Sequence, residues 1–191
     1  MIPPWNPREL DIVFTSGRDP VSCIFNRASG AGLRHAFDYS VPTHVFFMTF
    51  DHGQWMATEL TEDGIEEDSF EKYLTEKRFR ARLHSAFRWS GFGEESVRAH
   101  VLANLAEARQ KDSGYDWIGA IRCNRIVRRI FPNLRESKTK YYCSENVFSV
   151  LWHQGWTRFP RHWTEKAPHP APLLRAIRLD TTFAAMFEAS H

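Results

Sequence analysis

Apolar positions along this chain follow two periods. In the first half, short β-branched and aromatic runs alternate with turn-forming residues; in the second half a three-to-four-residue spacing takes over. Residues 10 to 15 (Leu-Asp-Ile-Val-Phe-Thr) follow a Pro-rich lead-in and read as a short strand. Residues 21 to 32 are mixed and end in glycines, as a short helix and loop would. Residues 43 to 50 are almost wholly β-branched or aromatic, which predicts a buried strand. Asp51-His52-Gly53 is a turn signal, so residues 54 to 60 read as the returning strand of a hairpin. A short helix is expected over residues 69 to 75 and a further strand over 79 to 87.

Helical spacing is clearest from residue 94 to 111. There Val97, Val101, Leu102, Leu105 and Ala108 form one stripe, acids open the segment and Gly114 can close it. Residues 117 to 131 are amphipathic in the same way. Residues 142 to 152 give a second confident helix, with Cys143, Val147, Val150 and Leu151 on one face. Pro-rich residues 160 to 172 read as a loop, and residues 173 to 179 as a last strand. Hairpin strands mixed with helices predict an α+β fold. With no internal repeat and no dividing linker, residues 1 to 191 read as a single domain.

Composition narrows the class. A chain that is 42% hydrophobic, 14% aromatic and 25% charged is an ordinary globular protein and not a disordered one. A net charge of +2 names no partner. The charge is nevertheless unevenly placed: seven acids and no base lie between Glu59 and Glu71, and seven bases with one acid between Arg122 and Lys140. Two solvated faces of opposite sign account for this. An anionic surface meeting Arg122, Arg125, Arg128 and Arg129 is the sharper alternative, with no nucleic-acid motif to support specific binding of DNA or RNA. Three cysteines at wide spacing exclude a disulfide framework, and neither Cys nor His falls in a metal-ligand pattern. The first residues lack a basic start and an apolar stretch, so the expectation is a protein that begins life in a cytoplasm, reaching any outside target by another route. The oligomeric state leaves no mark in the sequence.

Chemistry enters at Cys143, in Tyr141-Tyr142-Cys143-Ser144-Glu145, at the first turn of a predicted helix. Free backbone N–H groups and the positive helix end stabilise a thiolate there and can hold an oxyanion. A buried, inert cysteine would occupy the same stripe. A thiolate nucleophile needs a base. His44 opens an apolar strand, where an imidazole is expensive unless paired. A base in turn is usually oriented by a third group. A two- or four-residue turn centred on His52-Gly53 places Thr61 opposite His44 and Glu59 diagonally on the same face, about 7–8 Å away. A three-residue turn would reverse the parity and remove Glu59.

Several segments, in order, resemble the permuted NlpC/P60 families, and within them the YiiX/YaeF-like branch. Asp11-Ile12-Val13-Phe14 looks like the opening strand, Thr43-His44-Val45 like the histidine strand, and Gly114-Tyr115-Asp116 like the segment before the nucleophile. Tyr142-Cys143-Ser144-Glu145 looks like the nucleophile box, and Pro170-Ala171-Pro172-Leu173-Leu174 is similar to the closing segment. Lecithin retinol acyltransferase relatives share the permutation but carry a different cysteine box.

The resemblance implies a circularly permuted papain-like fold, with an antiparallel sheet or small barrel packed against helices. It implies a thiol protease or amidase with a Cys143–His44–Glu59 triad, working through a thioester and needing no cofactor and no metal. Tyr115, Tyr142 and Ser144 are the candidate oxyanion or substrate contacts. The substrate implied is a peptide or acyl-amide, such as a peptidoglycan stem peptide. The alternatives are a lipid acyl hydrolase or acyltransferase at a membrane surface, and a catalytically inactive binding module.

Overall fold

A computed structural model describes residues 4–17, 41–61, 64–75, 81–110, 143–164 and 167–189. Six strands form one antiparallel sheet: β1 (Ile12–Gly17), β2 (His44–Asp51), β3 (Gln54–Thr61), β4 (Gly64–Ser69), β5 (Ala81–Trp89) and β6 (Phe183–Glu188). Their spatial order is β4-β3-β2-β1-β5-β6. Among the described residues four α-helices accompany them: α1 (Phe70–Thr75), α2 (Glu95–Gln110), α3 (Cys143–His153) and α4 (Pro170–Leu179). The architecture is α+β. Among the described residues the sheet is open, with β4 and β6 at its edges, so the small-barrel alternative is not what forms.

β1 lies at the centre and is covered on both faces, which is why Ile12, Val13 and Phe14 are all fully buried in an unbroken apolar run. Alternate side chains feed two cores. Ile12, Phe14, Val45 and Phe47 join Val147, Leu151 and Leu173 in the larger one, under the helices. Val13, Phe46, Met48 and Ala57 meet Phe70 of α1 in the smaller one. The β2–β3 hairpin closes on His52 and Gly53, with φ of 47° and 79°. Its pairing runs from Asp51↔Gln54 to Phe47↔Thr58, the register expected of a two-residue turn.

Three assignments differ from the sequence reading. Residues 64–69, taken as part of an acidic run, form edge strand β4, which needs only Ile65 buried and keeps Glu66, Glu67 and Asp68 at the rim. Residues 173–179 are helical, not a strand. Leu173, Leu174 and Ile177 are buried at helical spacing, and Pro170 sits where a helix start loses no hydrogen bond. The closing strand is instead β6, paired to β5. The predicted elements at 21–32 and 117–131 lie outside the described residues.

Candidate functional site

The nucleophile candidate is the first residue of α3, a helix that packs across β2 and β3. Cys143, Val147 and Leu151 recur every four residues and face the larger core, with Phe148 beside them. That stripe fixes the helix rotation and aims its N-terminal turn at the start of β2. Cys143 is a free thiol, 4% exposed.

His44 begins β2. Its Nε2 is bonded to Oε2 of Glu59 on β3, a buried carboxylate. Continuing the hairpin register sets Glu59 opposite Phe46 and therefore diagonal to His44, and the side chains bridge that diagonal. The centroid of the Phe46 ring lies 6.1 Å from that of the imidazole. The imidazole also hydrogen-bonds the Cys143 side chain. Burial disfavours charge on His44, but the charge of Cys143, that of Glu59 and the hydrogen bonds from both outweigh it. The imidazole pKa is raised well above 6.5. The His44 side chain is 23% exposed.

The three residues singled out as a triad are thus brought together. Ser144 is placed differently from its candidate role: it is fully buried and its hydroxyl donates to the Pro168 carbonyl at 2.7 Å. That bond ties the start of α3 to the entry of α4, and it leaves Ser144 only its backbone N–H for an oxyanion. Tyr115 and Tyr142 lie outside the described residues, as do Arg122, Arg125, Arg128 and Arg129. Two features escaped sequence reasoning. Pro168 is one, since nothing local marks its carbonyl as a partner. The other is Glu66, directly opposite Glu59 on β4, which needs the unforeseen strand to be seen.

No family model and no curated protein matches the chain. Among solved structures it is similar to one described as "metalloprotein yiiX from Escherichia coli O157:H7, DUF1105". The TM-score is 0.60 at 14% identity, over 98% of this chain and the whole of that one. The fold is YiiX-like. YiiX is described there as a metalloprotein. In this chain, among the described residues, no three His, Cys, Asp or Glu side chains are grouped so as to hold a metal ion. Among the described residues, those of the site do not fit one.

No described helix is long and apolar enough to cross a membrane.

Proposed function

We propose that this protein is a cysteine-dependent hydrolase of the amidase or peptidase kind, acting through a thioester on a peptide or acyl-amide such as a peptidoglycan stem peptide. One observation carries the reading: a cysteine at a helix N-terminus is hydrogen-bonded to a histidine that is also held by a buried carboxylate. That is nucleophile, base and orienting group within bonding reach.

In this reading the raised His44 pKa keeps a proton on the imidazole beside Cys143. The Cys143 thiolate attacks the amide carbonyl. Backbone N–H groups at the start of α3 hold the oxyanion, aided by the helix dipole. As the C–N bond breaks, His44 gives its proton to the leaving amine, and a thioester remains. Water then attacks the thioester while neutral His44 takes its proton. The acid departs and the thiolate–imidazolium pair is restored. Glu59 holds the ring in one tautomer and orientation throughout.

The test is alkylation with iodoacetamide, read peptide by peptide. Cys143 is expected to be modified at neutral pH faster than a free model thiol, and His44→Ala to abolish that advantage. Cys143→Ala is expected to keep a cooperative melting transition, at a somewhat lower temperature because the His44 partner is lost, and to lose hydrolysis of peptidoglycan stem peptides. Labelling of Cys143 no faster than the model thiol, or hydrolysis persisting in the alanine variant, would overturn the proposal.

A further inference from the structure

Away from Cys143, residues 157–163 and α4 enclose a groove of about 770 Å³, a volume suited to one small ligand. Phe159 and Trp163 form one wall, with ring planes 4° apart and centroids 6.3 Å apart. Pro172, Ala176 and Leu179 line the opposite side along one face of α4. From Ala171 to Leu179 that face advances about 12 Å. Leu179 is 80% exposed at the far end, where it prolongs the apolar wall instead of ending it.

The charged lining holds two guanidinium groups against one carboxylate. Arg158, Arg175 and His162 border the groove, and the single acid there is Asp180. Asp180 is already engaged by the Trp156 indole N–H at 2.8 Å, by the Thr182 hydroxyl and backbone N–H, and by Arg158 at 3.3 Å. The groove therefore offers a hydrocarbon-sized apolar floor with an excess of cations at its border. A peptide would need backbone hydrogen-bond partners along its length, and the side chains of the apolar wall, Phe159, Trp163, Pro172, Ala176 and Leu179, supply none. We propose that this groove is a binding site for a free fatty acid: one aliphatic chain in contact with Phe159, Trp163 and α4, its carboxylate met by the Arg175 guanidinium, the cation that Asp180 does not offset. The site is separate from the hydrolase reading and does not depend on it.

The experiment is calorimetric titration of the full chain with laurate below its micellar concentration, with dodecyltrimethylammonium as the ligand of equal chain length and opposite charge. Laurate is expected to bind at one site per chain and at least about tenfold more tightly than the cation. Arg175→Glu and Leu179→Glu both alter exposed positions, so the fold should survive, as an unchanged melting curve would show. Each is expected to weaken laurate about tenfold or more. Cys143→Ala should bind laurate like the unmodified chain. Equal binding of both detergents, binding without saturation at one equivalent, or indifference to both substitutions would overturn the proposal. So would binding to phosphatidylglycerol vesicles without binding to laurate, which would make the groove a membrane contact.

Discussion

Burying an imidazolium costs free energy, and His44 keeps its proton because Cys143 and Glu59 both favour the charged ring. The consequence for stability has a definite sign. A folded-state pKa above the unfolded one stabilises the protein fully below pH 6.5, and that contribution is lost as pH rises through the folded pKa. The melting temperature is therefore expected to fall on going from neutral to alkaline pH, and His44→Gln to flatten that fall. An equally steep fall in the variant would contradict the pairing. Catalysis should follow the same proton. Glu59→Gln removes one of the charges that raise the pKa, so the alkaline limb of the pH–rate profile should move to lower pH. The kcat/KM value should drop by about a hundredfold or more as the ring loses its orientation. A lower rate with an unmoved alkaline limb would make Glu59 a packing residue only.

The β2–β3 hairpin turns sequence into site geometry. His52 and Gly53 both adopt positive φ, which a two-residue turn of this kind requires. A Cβ at Gly53 would meet nothing within 4 Å. Gly53→Ala should then cost only backbone strain, about 1 kcal/mol, readable in urea denaturation, with the Cys143 labelling rate unchanged. Inserting one residue between His52 and Gly53 is a different perturbation. It reverses the parity of β3 and turns Glu59 away from His44. The hydrolase reading requires that insertion to remove the fast labelling of Cys143. This element shows what made the His44–Glu59 contact legible: an unambiguous turn signal and a strict period of two convert residue numbers into faces. Where the signal was weaker, sequence reasoning went astray. An edge strand such as β4 buries too little to show alternation, and α4 begins with prolines that also mark loops. The Ser144–Pro168 bond was beyond reach, because it spans 24 residues and depends on how two helices meet.

For the whole molecule, the sheet separates two apolar layers, and the site forms where the first residue of β2 meets a helix from the larger layer. The opposite end of β2 is fastened independently. Leu10 donates to the Met48 carbonyl at 2.7 Å, and Met48 donates to that of Asp11 at 2.8 Å. The Asp11 carboxylate, with no side-chain exposure, receives Arg88 through two 2.8 Å bonds, the Trp5 indole at 3.1 Å and the Arg8 backbone N–H at 2.9 Å. This cluster locks the N-terminal lead-in onto β5 and holds Leu10 at a φ of 65° that leucine rarely adopts. Asp11→Asn leaves the Arg88 guanidinium, about a quarter exposed, without its counter-ion. The expected cost is about 3 kcal/mol, the lower end for breaking a buried pair because Arg88 can still reach water. Met48 and His44 are four residues apart along an extended strand, or about 13 Å. Groups that far apart with no shared partner act nearly additively. Asp11→Asn should therefore lower the urea midpoint substantially while leaving the alkylation rate of Cys143 in the folded protein unchanged. A slower alkylation in that variant would mean that β2 transmits strain along its length, and that the site owes its geometry to the whole sheet instead of to the hairpin and α3 alone.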